Sequence, residues 1–183
     1  MKVNSGRYKG TTIKVGRYTA IRPTTGKIRE WIFQILKPYL PDSRFLDLFA
    51  GTGIMGIEAN SRGSRFAVFV DNATGALIRQ NLRNVDQIVN TKIINEDVLH
   101  FLSRRHPAKF RFHIINADPP YNYDRFSQLL KTISQSKLLV DGGLFVLEHG
   151  RHSLISIPDT FLTVLREKTF GETKVTIFKK GEL

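Results

Sequence analysis

The stretch Asp47–Gly56, DLFAGTGIMG, decides the fold of this 183-residue chain. An apolar segment, Phe45–Phe49, runs directly into the glycines, and a helix-like stretch, Ile54–Ser61, follows them. Gly51 and Gly53 permit a tight turn with close approach of a ligand to the backbone, and the third glycine lets the helix pack on the strand. The stretch therefore predicts a strand, a turn and a helix, with a nucleoside-bearing ligand over the turn.

The same alternation continues along the chain. Strands are predicted at Phe45–Phe49, Phe66–Val70, Ile93–Ile94, Phe112–Asn116 and Leu144–Leu147, and helices at Ile54–Ser61, Leu77–Val85, Val98–Ser103 and Phe126–Ser134. Strands buried on both faces appear as continuous apolar runs, and alternation with helices implies right-handed crossovers. We therefore predict an α/β fold with a mostly parallel sheet, in which ligands bind beyond the carboxyl ends of the strands.

The two ends of the chain depart from this pattern. Phe161–Thr169 and Lys174–Lys179 flank Gly171, which predicts an antiparallel β-hairpin at the end of the sheet. Near the start, glycines separate short β-prone pieces, which predicts a small hairpin or arm. We expect two units, a basic N-terminal hairpin or arm at residues 1–24 and the ligand-binding domain at residues 25–183.

The positive charge of the chain is concentrated near its beginning. The formal net charge is +12, and residues 1–40 hold nine basic side chains against the single acid Glu30. Such a segment, with aromatic rings among its charges, suits a polyanion whose bases can stack. Arg7, Lys9 and Arg17 are the candidate contacts with the phosphates of such a polyanion. A solvated face that only maintains solubility is the alternative.

The composition argues against several classes of protein. No apolar run approaches the roughly 20 residues of a membrane span, and the opening MKVNSGRYKG has no hydrophobic segment typical of a secretory signal. The absence of cysteine excludes disulfides and thiolate metal sites. The five histidines show no ligand spacing, so we expect no metal site. These features favour a cytoplasmic protein.

Three acids that lie near the ends of predicted strands could bind a cofactor. Asp71 ends the second strand, where a carboxylate can accept both hydroxyls of a ribose. Asp97, followed by Val98, could accept from an adenine amino group, cap a helix, or do both. Asp47, just before the glycine turn, would repel a pyrophosphate but attract a cationic sulfonium or ammonium group. Asp71 fits either cofactor, whereas Asp47 and Asp97 together favour S-adenosylmethionine over NAD.

The segment Asp118–Tyr121, DPPY, follows the fourth predicted strand, and its adjacent prolines make it a rigid elbow. A planar exocyclic amine is a poor nucleophile, because its lone pair is delocalised into the ring. The Asp118 carboxylate and the Pro119 carbonyl could hold its protons and orient the nitrogen toward a methyl group. Tyr121 could stack on a base turned out of its helix. A purely structural turn is the alternative.

Taken together, these segments resemble the RsmD family, bacterial methyltransferases that act on 16S ribosomal RNA. The resemblance rests on DLFAGTGIMGIEANSRG, FVD, EDVL, DPPY and IRPTTGKIREWIF, and it extends over most of the chain. It implies a Rossmann-like class I methyltransferase sheet. It also implies methyl transfer from S-adenosylmethionine to N2 of a guanine in small-subunit rRNA, within an assembling ribosomal particle.

The resemblance also implies roles for individual residues. It assigns cofactor contacts to Asp47, Gly51, Gly53, Asp71, Asp97 and Val98, the catalytic elbow to Asp118, Pro119 and Tyr121, and a segment over the cofactor site to Arg22 and Thr24. Other interpretations stay open on the residues alone. A NAD-dependent oxidoreductase fits the glycine turn, an adenine-N6 DNA methyltransferase fits DPPY, and a non-catalytic RNA-binding module fits the charge.

Overall fold

The structure is a computed structural model that describes residues 1–16, 25–86, 88, 90–107, 110–155 and 161–181. Its strands are β1 (Arg44–Leu48), β2 (Phe66–Val70), β3 (Thr91–Ile94), β4 (Phe112–Ala117), β5 (Leu139–Gly150), β6 (Leu162–Phe170) and β7 (Thr173–Lys180). Its helices are α1 (Gly26–Leu36), α2 (Ile54–Ser61), α3 (Gly75–Arg83), α4 (Val98–Ser103) and α5 (Phe126–Gln135), with a 3-10 turn at Lys37–Tyr39. The predicted alternation of strands and helices is confirmed.

The described strands form one seven-stranded sheet in the order β3-β2-β1-β4-β5-β7-β6. The strands from β3 to β5 in this order are parallel, whereas β7 is antiparallel to both β5 and β6. β1 lies between β2 and β4. The chain adds β2 and β3 on one side of β1 and then crosses to add β4 and the later strands on the other side. This reversal is the switch point at which α/β sheets bind ligands.

Helices cover both faces of the sheet. On one face, residues of α1, α2 and α3 form a core cluster with the first residues of the chain, and on the other face α4 and α5 form a second cluster. Neighbouring residues of β1 alternate between the two, since Phe45 packs in the first cluster and Leu46 in the second. This two-sided burial explains the continuous apolar runs in the sequence.

β5 is longer than its sequence pattern predicts. The predicted segment, Leu144–Leu147, is only the central part of a strand that runs from Leu139 to Gly150. Gly142 has a φ of +73°, and the register with β4 shifts between Phe112 and Ile114. The strand therefore contains a bulge-like irregularity at its two glycines and continues beyond them. The extension carries β5 beyond the end of β4, toward the carboxyl edge of the sheet.

The first 13 residues form a hairpin that packs on the rest of the molecule. Its two arms are joined by hydrogen bonds from Val3 N to Thr11 O (3.0 Å) and from Ile13 N to Met1 O (2.8 Å). Val3, Tyr8 and Ile13 are buried in the first core cluster. The predicted hairpin is therefore present and shares the core of the sheet.

Glu58 of α2 anchors this hairpin. Its fully buried carboxylate accepts hydrogen bonds from the backbone N–H groups of Asn4 and Ser5, and from Nε of Arg29 at 3.2 Å. Arg29 in turn donates to the backbone carbonyl of Lys2 at 2.7 Å. The buried charges are thus paired and hydrogen-bonded, as buried charges must be.

The turn of the hairpin also requires a glycine. Gly6 has a φ of +85°, and a Cβ added there would lie 1.9 Å from the carbonyl oxygen of Ser61. Any other residue at this position would push the hairpin away from the end of α2.

Among the described residues, every helix is too short or too polar to traverse a lipid bilayer.

Candidate active site

Three parallel strands end side by side at one edge of the sheet. Leu48, near the end of β1, pairs with Val70 of β2 and with Ala117 of β4. The residues that follow are the glycine turn, Asp71 and Asp118. The structure therefore brings the predicted cofactor turn, the predicted ribose acid and the elbow together at the carboxyl edge of the sheet.

The glycine turn has the predicted conformation. Gly51 and Gly53 have φ values of +53° and +78°, in the left-handed region that glycine tolerates best. Gly53 is also the N-terminal cap residue of α2. A Cβ added at Gly56 would lie 2.3 Å from Cε1 of Phe69, so only glycine allows α2 to pack this closely on β2.

Asp71 holds the turn in place. Its Oδ2 accepts from Gly51 N at 3.0 Å, and its Oδ1 accepts from the N–H groups of Ala73 and Thr74, each at 2.8 Å. A carboxylate offers about four acceptor positions, and the part of the chain that the structure describes occupies three. One position is left for a ribose hydroxyl, and this cofactor contact stays a prediction.

Asp47 lies beneath the turn and is buried, with 1% of its surface exposed. Its Oδ1 accepts from Nδ2 of Asn116 at 3.0 Å, and its Oδ2 accepts from Gly56 N, also at 3.0 Å. Asp47 therefore joins β1 to β4 and to the first turn of α2. Its direct contact with a cofactor stays a prediction. Its hydrogen bonds, which support the turn from beneath, were not predicted from the sequence.

The carboxylates at this edge influence one another. Burial, aided by the charges of Asp118 and Asp71, raises the pKa of Asp47 to about 7, although the hydrogen bonds from Asn116 and Gly56 lower it. The three carboxylates therefore lie close enough to create a negative potential at the strand ends. Such a potential suits a cationic ligand and opposes a pyrophosphate.

Asp97 begins α4. As the N-terminal cap residue, it accepts from His100 N at 3.0 Å, while Val98 packs in the second core cluster. The helix-cap interpretation of Asp97 is confirmed, and its predicted contact with an adenine amino group stays a prediction. Within the described residues, no group of three or more acidic or histidine side chains could hold a metal ion.

The elbow presents one ring to solvent. Pro119 is buried, Asp118 is half-buried and Tyr121 is 87% exposed. The carbonyl of Pro120 accepts from Tyr123 N at 2.9 Å, which closes the turn. The elbow is therefore anchored at its prolines, with the Tyr121 ring available for stacking.

Tyr123 is a residue of the site that the sequence pattern did not single out. Its ring makes edge contacts with Phe49, beside the glycine turn, and with Phe126, at 5.3 and 5.2 Å between centroids. Its hydroxyl is buried without a hydrogen-bond partner in the described residues, and burial raises its pKa to about 12. The ring of a neutral tyrosine thus packs between the elbow and the cofactor turn. This contact follows from how the rings pack in three dimensions, which the local sequence does not indicate.

The predicted site residues of the N-terminal segment do not lie at this edge of the sheet in the described part of the chain. Arg17, Arg22 and Thr24 lie outside the described residues. Arg7 and Lys9 are exposed on the hairpin, and Arg7 N donates to Ser61 O at the far end of α2. Because the eight residues of α2 span about 12 Å, the two basic residues lie well away from the elbow.

Comparisons with known proteins agree along nearly the whole chain. A family model described as "Conserved hypothetical protein 95" matches residues 1–179. The protein YlbH of Bacillus subtilis (strain 168), whose name assigns it provisionally to the rRNA methyltransferases, is 36% identical over 184 residues, or 98% of this chain and 99% of that protein. Ribosomal RNA small subunit methyltransferase D of Escherichia coli (strain K12) is 26% identical over 183 residues, or 98% and 90%.

Solved structures share the fold. A hypothetical protein of Thermus thermophilus superposes with a TM-score of 0.80 and 29% identity, covering 97% of this chain and 98% of that one. An RNA methyltransferase from Salinibacter ruber, in complex with S-adenosyl-L-homocysteine, has a TM-score of 0.63 and 15% identity, with 88% and 95% covered. At that identity the likeness is one of fold, and it confirms the predicted Rossmann-like sheet.

Proposed function

The chain belongs to the family described as "Conserved hypothetical protein 95", and from this premise we propose that it methylates the exocyclic N2 of a guanine in 16S rRNA, using S-adenosylmethionine. This membership agrees with the resemblance of its motifs to the RsmD family. A relative that matches 98% of this chain is named ribosomal RNA small subunit methyltransferase D. We further propose that the reaction takes place in the cytoplasm, with a precursor of the small ribosomal subunit as the partner.

One observation carries the proposal: the glycine turn, a group of carboxylates and a rigid aromatic elbow lie at adjacent strand ends. Asp47, with its pKa near 7, is influenced by both Asp71 and Asp118. The resulting negative potential fits a sulfonium and an α-amino group and opposes the pyrophosphate of NAD. The negative potential therefore favours a methyltransferase over an oxidoreductase.

The chain offers a distinct contact for each part of the cofactor. The backbone of the glycine turn allows close approach, Asp71 has one acceptor position left for a ribose hydroxyl, and Asp97 lies at the start of α4 for the adenine amino group. S-adenosylmethionine supplies an electrophilic methyl group when it is bound. Asp47 supports these contacts from beneath the turn.

The elbow prepares the amine that accepts the methyl group. Asp118 and the carbonyl of Pro119 accept hydrogen bonds from its two N–H groups, which directs the nitrogen lone pair out of conjugation and toward the cofactor. Tyr121 stacks on the extruded base and holds its plane. Because reactions of this kind depend mainly on positioning, a segment stiffened by two prolines suits this role better than a flexible loop.

The basic hairpin extends the RNA-binding surface away from the reacting centre. Arg7 and Lys9 are exposed near the far end of α2, so we propose that they contact phosphates of the helix or loop that flanks the target. Arg17, Arg22 and Thr24 belong to the connection between this hairpin and α1. We propose that Arg17 contributes to the same RNA surface and that Arg22 and Thr24 contribute to the cofactor side.

The test is methyl transfer from labelled S-adenosylmethionine to small-subunit RNA and to precursor particles, followed by nucleoside analysis. We expect labelled N2-methylguanosine. Labelled N6-methyladenosine would instead favour an adenine methyltransferase, and no transfer to either substrate would contradict the proposal. Calorimetric titration with S-adenosylmethionine and with NAD separates the cofactors, and measurable binding of NAD alone would identify an oxidoreductase.

A further inference from the structure

A small cleft lies beside the elbow. Its volume is about 220 Å³, and it is lined by Tyr121, Gly150, Arg151, His152, Ser153 and Glu172. We infer that this cleft receives the guanine and that Arg151 recognises its O6 and N7 atoms. The inference rests on the proposed function and adds to it the residue that selects the base.

The sheet register places the cleft at the reacting edge. Leu147 of β5 pairs with Ala117 of β4, and Gly150, at the end of β5, pairs with Thr173 at the start of β7. The cleft therefore lies just beyond the ends of β4 and β5, at the same edge of the sheet as Asp118. Tyr121 belongs to both the elbow and the cleft.

Within the described residues, the guanidinium of Arg151 is held only at Nε. Its Nε donates to Nε2 of His152 at 2.8 Å and lies 3.4 Å from Oε1 of Glu172. Its backbone N–H also donates to the carbonyl of Glu172, at 2.9 Å. Within the described residues, neither terminal nitrogen of its guanidinium donates a hydrogen bond. The guanidinium is thus oriented by neighbours and keeps two terminal donor groups for a ligand.

These donors match guanine and not adenine. Guanine presents two adjacent acceptors, O6 and N7, which arginine binds with two parallel hydrogen bonds, whereas adenine presents a donor at the position of O6. The Arg151 side chain is 46% exposed, so its terminal nitrogens are accessible before RNA binds. The cleft would therefore attract guanine and disfavour adenine.

The elbow and the cleft together contact three parts of one base. Tyr121 stacks on its face, Arg151 binds its N7 edge, and Asp118 takes the amine at the opposite edge. The cleft volume of about 220 Å³ lies below the roughly 300–1,000 Å³ of ordinary small-molecule pockets. That size suits a single base whose remaining nucleotide stays outside.

The test pairs a variant of the protein with a variant of the base. Once the methylated guanine has been mapped, small-subunit RNA is prepared with guanine or 7-deazaguanine there, because 7-deazaguanine lacks only the N7 acceptor. For wild-type protein we expect kcat/KM to fall roughly tenfold with the analogue. We expect Arg151→Met to lose roughly ten- to a hundredfold on guanine and to show little further loss on the analogue.

Two further variants sharpen this test. Arg166→Met removes an exposed arginine of β6 that does not line the cleft, and it should show the wild-type penalty with 7-deazaguanine. Glu172→Gln weakens the orientation of Arg151, so it should lower kcat/KM in the wild-type background but not in the Arg151→Met background. An additional loss in that background would show that Glu172 does not act through Arg151, which would overturn this part of the inference.

The outcomes separate the inference from the proposed function. If Arg151→Met keeps normal kcat/KM, or suffers the full analogue penalty, N7 is recognised elsewhere and the inference is overturned while the proposed function stands. If wild-type protein makes no N2-methylguanosine, the proposed function fails and the inference fails with it. Unchanged affinity for S-adenosylmethionine in Arg151→Met would confirm that the variant is folded.

Discussion

At the scale of the residue, Asp118 is the side chain whose replacement tests the reaction most directly. Asp118→Ala should lose most of kcat while lowering the affinity for S-adenosylmethionine only slightly, because an acceptor aligned with the amine matters chiefly in the transition state. Asp118→Asn separates two roles. Its carbonyl still accepts a hydrogen bond, so it should exceed Ala if orientation dominates and equal Ala if Asp118 also removes a proton.

Variants of Tyr121, measured in the same methyl-transfer assay, test whether its ring stacks on the base. Tyr121→Phe should lower methyl transfer only slightly and Tyr121→Ala severely, because the exposed ring is used and not its hydroxyl. Near-normal turnover by Asp118→Ala would remove the elbow from the catalytic machinery. Equal activity of the two Tyr121 variants would remove stacking from it.

Asp47 should link stability to pH. Because burial raises its folded pKa to about 7 from the usual 3.8, its neutral form is favoured in the folded state. Its contribution to stability is therefore complete below pH 4 and is lost as the pH rises toward 7, by on the order of 4 kcal/mol. Asp47→Asn cannot titrate. We expect the difference in unfolding free energy between wild type and this variant to shift in favour of the variant between pH 4 and 8.

The ionisation of Asp47 should also tune ligand preference. Above pH 7 its charge adds to those of Asp71 and Asp118, so a sulfonium should gain affinity relative to the neutral thioether of S-adenosylhomocysteine. We expect the ratio of the two dissociation constants to change through pH 7 in wild type and to stay flat in Asp47→Asn. A ratio independent of pH in both proteins would place the sulfonium away from Asp47.

The sequence predicts single residues well where their partners are close along the chain. Asp97 as a helix cap and the tight turn at Gly51 and Gly53 depend on local chemistry, and the structure confirms them. The role of Asp47 depends on Asn116, which lies 69 residues away. Its hydrogen bonds could not be predicted, because they follow from the pairing of β1 with β4.

At the scale of the element, the N-terminal hairpin carries a separate prediction about RNA. Replacing Arg7 and Lys9 by Gln should flatten the salt dependence of RNA binding, because each neutralised phosphate releases counterions. The slope of log K against log salt should lose about 0.7 to 0.9 for each contact. Cofactor affinity should not change, since both residues lie near the far end of α2.

The matched control for the hairpin removes two arginines from another exposed surface. Arg79 and Arg83 of α3 are exposed, so Arg79→Gln with Arg83→Gln changes the net charge by the same amount. If this pair flattens the slope as much as the hairpin pair, RNA senses only net charge. A wild-type slope in the hairpin variant would leave Arg7 and Lys9 as solvated surface.

Two elements beside the glycine turn were predicted to the residue. The helix Ile54–Ser61 and the strand Phe66–Val70 have the same bounds in the structure. β5 was predicted too short, because Gly142 and Gly143 interrupt its apolar run. The strand continues because β4 pairs with it on both sides of the glycines, at Leu139 and Leu144, and β7 pairs with it from Leu144 to Gly150. Neither partner is visible from the local sequence.

At the scale of the whole molecule, Glu58 joins the hairpin, α1 and α2, and its replacement tests how firmly they are joined. Glu58→Gln should destabilise the protein by about 3–5 kcal/mol, because it leaves the buried Arg29 guanidinium without a charged partner. Chemical denaturation measures this loss. Glu30→Gln is the control, since Glu30 pairs with Arg62 but is 42% exposed, and surface pairs contribute about 0–1 kcal/mol. Equal losses would contradict the structural role of Glu58.

The docking of the hairpin onto α2 and α3 also determines the order in which the chain can assemble. Asn4 and Glu58 are 54 residues apart, and Lys14 and Asn81 are 67 apart. Closing such long loops costs conformational entropy and slows folding. During translation the hairpin leaves the ribosome before its docking surface exists, with Val3 and Ile13 exposed. We expect it to become ordered late, so that a nascent chain acquires its basic surface only after the first half of the sheet has formed.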